Sequence, residues 1–173
     1  MAFDSKTDAR ELLPTGTRGE ALVKLVDLVA GSARFQTAAG VGESDARKHI
    51  HARHVDDPNQ VARPFVVVGV GGLNYMRLAD GSLHPSGVLR LRFTADATGG
   101  DDEAASMAEY LALADGILED VVELADTDDR LCISSIEQTQ DPVLTSAIDV
   151  AGRLAALPFW FCDWAITWDT IGG

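Results

Sequence analysis

Pro158-Phe159-Trp160-Phe161-Cys162-Asp163-Trp164-Ala165-Ile166-Thr167-Trp168-Asp169 has a period of two. Trp160, Cys162, Trp164, Ile166 and Trp168 fall on one face, and Asp163, Thr167 and Asp169 on the other. The segment is therefore a strand, and its tryptophan stripe reads first as core and second as an interface stripe. A strand needs neighbours, and they lie upstream. Val88, Leu89, Leu91 and Phe93 alternate with Arg90, Arg92 and Thr94, so one face packs and the other meets water or a partner. Pro64-Phe65-Val66-Val67-Val68-Gly69-Val70 is a β-branched run, apolar on both faces, that predicts a strand in the middle of a sheet. Gly69-x-Gly71-Gly72 follows it as a bulge or bend. The stretch 73–86, with Asp80-Gly81 and His84-Pro85-Ser86, predicts a hairpin tip that extends beyond the core. Residues 131–136 read as a further strand, 48–54 as a short one, and 137–157 as a connection.

Helices frame these strands. Thr17-Arg18-Gly19-Glu20 has the form of a capping box, and Leu22, Leu25, Val26 and Val29 recur at helical spacing, predicting a helix over 18–30. A second helical turn over 32–39 takes Ser32 as its cap and Phe35 as its buried anchor. The longest helix, about 24 residues from Asp101-Asp102-Glu103, places acids where the helix dipole favours them. Its predicted buried stripe is Met107, Leu111, Ala114, Leu118, Val121 and Val122, and Glu109, Asp115, Glu119, Asp120 and Glu123 lie mostly outside. The pattern predicts an α+β fold: a mostly antiparallel sheet covered on one face by a long helix and an N-terminal helix. One domain over 17–173 follows an N-terminal arm over 1–16.

Composition narrows the function classes. The 173 residues are 46% hydrophobic, enough for one core, and 27 acids against 14 bases leave a formal charge of −13. With no basic run, sequence-specific binding to DNA is disfavoured, because phosphates must be neutralised by Lys and Arg. The same charge suits a protein that must stay near DNA without adhering to it. No apolar run is long enough to cross a bilayer and no secretory leader is evident, so the chain is expected to remain in the compartment where it is made. Cys132 and Cys162 lack a CxxC spacing and are both expected to be buried free thiols.

The motifs that suggest chemistry have simpler readings. His49, His51 and His54 with Asp56 and Asp57 carry metal-ligating groups, but neither strand nor helix spacing brings the three imidazoles to one face. The Gly69–Gly72 run lacks a complete phosphate-binding pattern, and Ser86, Ser134 and Ser135 lack the setting of a nucleophile. Asp101-Asp102, Glu119-Asp120 and Asp128-Asp129 read as capping and solvation. No catalytic, cofactor-binding or metal-ligating residue is assigned. Arg90 and Arg92, projecting together from one strand face of an acidic protein, point instead to the acidic helices of a neighbouring copy.

The element order resembles the tail terminator (tail completion) proteins of long-tailed bacteriophages and related gene-transfer particles. The likeness is carried by the opening helix and its continuation Leu25-Val26-Asp27-Leu28-Val29-Ala30-Gly31-Ser32-Ala33-Arg34-Phe35-Gln36. It continues in Ala62-Arg63-Pro64-Phe65-Val66-Val67-Val68 entering a central strand, the hairpin through Arg90-Leu91-Arg92-Phe93, the acidic helix 101–125 and the terminal strand 158–169. The resemblance implies a virion protein without enzymatic activity or cofactor, made in the host bacterial cytoplasm. Such a protein forms a hexameric ring on the head-proximal end of the tail tube, stops tail growth and joins the tail to the neck. Its partners would be further copies, the tail tube protein and head–tail connector proteins, with DNA passing through the lumen. The chain departs from many relatives in its longer 1–16 arm, 73–86 hairpin and 137–157 connection. The expected contact residues are Arg90, Arg92, Leu73, Asn74, Tyr75, Arg77 and His84, together with the arm. Alternatives are a head–tail joining or head-completion ring, a small metal-dependent enzyme using His49, His51, His54 and Asp56, and a monomeric cytosolic binding module.

Overall fold

The computed structural model describes residues 17–52, 61–98, 102–127, 132–145 and 158–169. The predicted first helix is α1 (Thr17–Gly31), and its Leu25, Val26 and Val29 are fully buried. Ser32 then caps α2 (Ala33–Ala39), its hydroxyl accepting from the Phe35 N–H at 3.1 Å, and Phe35 is fully buried as its spacing predicts. A short α3 (Glu43–Ala46) and a single 3-10 turn over Arg47–His49 lead into β1 (Ile50–His51). The strand expected over 48–54 is therefore shorter, because helical turns occupy the chain as far as His49. His54 lies outside the described residues.

Five long elements follow, four strands and one helix. They are β2 (Phe65–Arg77), β3 (Leu83–Asp96), α4 (Glu103–Ala125), β4 (Cys132–Thr145) and β5 (Phe159–Asp169). The sheet order is β1-β2-β3-β5-β4, antiparallel throughout except that β1 runs parallel to β2. The fold is α+β, with its helices on one face of a mostly antiparallel sheet. Two strand expectations change. The Pro64–Val70 run is an inner strand second from one edge, with β1 pairing only at Val66 and Val67, and the middle position belongs to β3. The strand expected to stop at 136 runs on to Thr145 and includes Asp141-Pro142, as an edge strand whose register shifts three times against β5. An edge tolerates a proline because one side of the ladder is open.

The core lies between helices and sheet. Trp160, Cys162, Trp164, Ile166 and Trp168 from β5 are buried beside Leu89, Leu91 and Phe93 from β3 and Val66 and Val68 from β2. The tryptophan stripe is core. The buried face of α4 is rotated from the one expected: Ser106, Tyr110, Ala114, Ile117, Val121 and Ala125 point inward, and Met107, Leu111 and Leu118 sit at the margins. The rotation has a chemical cause. The Tyr110 hydroxyl donates to the Phe93 carbonyl at 2.9 Å, and the Trp160 indole N–H donates to the Ser106 hydroxyl at 2.9 Å, so two polar side chains of α4 are satisfied on its buried face.

The two cysteines differ. Cys132 is exposed on β4, contrary to the expectation of two buried thiols, because the alternation of an edge strand turns it to solvent. Cys162 is fully buried with its Sγ 3.3 Å from the Tyr110 hydroxyl, and burial pushes its pKa up to about 12. In the native protein a thiol reagent at pH 8 should modify one cysteine, and two after unfolding; two fast-reacting native thiols would contradict this placement. Burial raises Tyr110 as well. Stability therefore falls as pH rises from the ordinary thiol value of 9.0 toward 12, because the unfolded chain releases protons that the folded chain retains.

Candidate interaction surface

Every expected contact residue outside the N-terminal arm lies on one hairpin, β2–β3. From Phe65↔Thr94 to Val70↔Leu89 its strands pair inside the sheet; the register then shifts at Gly71-Gly72 and resumes from Leu73↔Gly87 to Arg77↔Leu83. The shift is the predicted bulge. Close approach explains its glycines: a Cβ on Gly71 would meet the Val88 carbonyl oxygen at 2.9 Å, and one on Gly87 the Gly72 carbonyl oxygen at 2.8 Å.

Beyond this crossing the hairpin leaves the sheet. β5 pairs with β3 only as far as Ser86↔Asp169, so Tyr75–Arg77 and Leu83–Pro85 have each other as their only ladder partners among the described residues. The turn is tied locally, with the Leu78 N–H donating to the Ser82 carbonyl at 2.9 Å. The Ser82 N–H and hydroxyl donate to Asp80 at 2.8 and 2.6 Å, which hold its carboxyl below the usual carboxylate range, and Gly81 takes φ 86°. A two-stranded ribbon is marginal alone in water.

Its surface exposes large apolar side chains among the polar ones. Among the described residues the large apolar side chains most exposed are Val70, Tyr75, Leu78, Leu83 and Leu144, and the first four belong to this hairpin. Leu73 is half-buried against the core at the crossing, Asn74, Tyr75 and Arg77 are exposed, and His84 is half-exposed opposite Met76.

The two arginines of β3 share the face turned away from the helices but differ in state. Arg92 makes a bidentate pair with Asp163, at 2.6 and 2.8 Å, and its guanidinium lies 4.7 Å from the Phe161 ring centre. Asp163 raises the Arg92 pKa above its ordinary value. Arg90 is exposed between Gly69 and Ala165 and makes no ion pair among the described residues; small neighbours on both sides open a groove of about 600 Å³ around it, bounded by Val67, Val88 and Thr139. Sequence reading placed both arginines on one face, but register was needed to show that one is already compensated.

The other candidate groups separate. His49 Nδ1 lies 3.0 Å from the Pro64 carbonyl oxygen, and His51 is buried edge-on to Phe65, while His54, Asp56 and Asp57 lie outside the described residues. Among the described residues no three His, Cys, Asp or Glu side chains gather in a way that could hold a metal ion. Asp102 caps α4 by accepting from the Ala105 N–H at 3.0 Å, and the Ser134 hydroxyl donates to the Thr167 carbonyl at 3.3 Å. Glu119 and Asp120 bind the start of α2: Asp120 accepts from the Ser32 hydroxyl at 2.7 Å and the Arg34 N–H at 3.2 Å, and Arg34 reaches Glu119 at 3.0 Å. These contacts join elements more than 80 residues apart. No local sequence signal announces them.

No helix among the described residues is long and apolar enough to cross a membrane. No protein-family model matches the chain, and no curated protein matches it.

Proposed function

We propose that this protein is a structural component of a virion neck, a tail terminator that assembles as a ring on the head-proximal end of a tail tube. The observation that carries the reading is the projecting β2–β3 ribbon, whose exposed apolar side chains would be a liability on a solitary monomer. Two further features support it. The helix, hairpin, acidic helix and terminal strand occur in the order on which the resemblance rests. A chain of formal charge −13 also suits a conduit through which DNA must slide without sticking.

In this reading the chain works by geometry. Copies meet through their ribbons, the ring closes on the tube, and a closed ring offers no further site for tube subunits. The test is the native mass of the full chain by light scattering with negative-stain imaging, alone and with purified tail tubes. Rings of roughly six copies, free or on tube ends, are expected. A chain that stays monomeric and leaves tube ends bare would overturn the proposal.

A further inference from the structure

The charges of this chain are segregated by element. The hairpin Phe65–Asp96 carries three arginines and two aspartates, whereas Asp102–Thr127, which contains α4, carries eight acids and no lysine or arginine. Within one copy the two sets are kept apart. The exposed side of α4 faces away from the sheet, while Arg90 lies on the opposite face of the sheet and Arg77 on the ribbon beyond β5.

That exposed side of α4 is itself divided. Ala108 and Ala112 form a smooth patch, and Asp115, Glu119, Glu123 and Asp126 continue the same stripe toward the helix end. Glu119 is held by Arg34, whereas Asp115, Glu123 and Asp126 make no ion pair among the described residues. The ribbon presents the complement, with Tyr75 and Leu83 exposed beside Arg77 on one face, while Arg90 lies on the other. Apolar side chains face small ones, and an exposed cation faces uncompensated acids.

We propose that the β2–β3 ribbon of one copy seats on the exposed face of α4 of a second copy. Tyr75 and Leu83 cover the alanines, and Arg77, on the same face of the ribbon, meets Asp115. The contact joins two different surfaces, so each copy offers one of each and the association is head-to-tail. This names the partner surface for the self-assembly proposed above and rests on that reading.

The test uses two charge-reversed forms of the full chain, Arg77→Glu and Asp115→Arg, both at exposed positions, with circular dichroism to verify that each is folded. Sedimentation velocity should show the unaltered chain associating more strongly at low salt, and each form alone with its dissociation constant raised at least about tenfold. Mixed in equal amounts the two should associate again, because the reversed ribbon then meets the reversed helix and each original surface meets its original complement. Assembly that survives both reversals, or a mixture that stays dissociated, overturns this contact. Assembly surviving both leaves the ring reading intact with another interface. An unaltered chain that remains monomeric to about 1 mM, which corresponds to less than about 4 kcal/mol of association, also overturns the contact; capping of tail tubes then decides the ring reading separately.

Discussion

A Trp168→Ala protein is expected to unfold with about 3–5 kcal/mol less free energy than the unaltered chain. Trp168 is the largest of the fully buried side chains, and it sits between Gly87 of β3 and Ile133 of β4, where three strands meet. Truncation removes the indole from the core and leaves a cavity lined by strand backbone, which cannot collapse without breaking ladder hydrogen bonds. Domains of ordinary stability hold about 5–15 kcal/mol, so this single change removes about a fifth of the total or more. Calorimetry should find Tm lowered by roughly 6–20 °C. Thr167→Ala, one residue away on the opposite face, should stay within about 1 kcal/mol of the unaltered chain. Equal losses at the two positions would mean that the tryptophan face is not the core.

The second large effect is expected at Gly87, where alanine should cost about 2–3 kcal/mol although it adds one methyl group. The added carbon would stand 2.8 Å from the Gly72 carbonyl oxygen and 3.1 Å from the Trp168 indole nitrogen. Neither is the far end of a flexible side chain, so β2 must separate from β3 at the bulge or the indole must leave its place. Gly69→Ala is the internal control: nothing lies within 4 Å of its Cβ position, and a change within about 0.5 kcal/mol is expected. Chemical denaturation of the two variants separates a clash at the crossing from a general dislike of side chains on these strands. Comparable midpoints would sink the crossing as the cause.

These two positions also show what a sequence can reveal. Trp168 was legible, because five apolar residues at alternate positions of β5 state their face without any knowledge of register. The bulge was legible from its glycines, but its partner Gly87 was not, since pairing between strands is a long-range fact. The same limit hid the Arg92–Asp163 pair and the bonds from Ser32 and Arg34 to Asp120. The face of α4 was misjudged for another reason: Ser106 and Tyr110 are polar, so an apolar period fitted to Met107, Leu111 and Leu118 turns the helix toward its margins. β4 beyond residue 136 was invisible because an edge strand exposed along much of its length has no apolar alternation to display. Of the candidate surface, the hairpin and its arginines could be read from sequence; the exposure of Tyr75, Leu78 and Leu83 and the isolation of the ribbon required the fold.

The crossing at Gly71-Gly72 over Gly87 divides the hairpin into two regimes of constraint. Before it, the inward side chains of β2 and β3 are tied to a core that tolerates little change in volume. After it, the ribbon closes its own backbone bonds and contributes nothing to that core, so its tip can lengthen, shorten or exchange residues at small cost to the domain beneath. A scaffold of this design is modular: the plug can be redrawn for a different socket while the body that carries it stays the same.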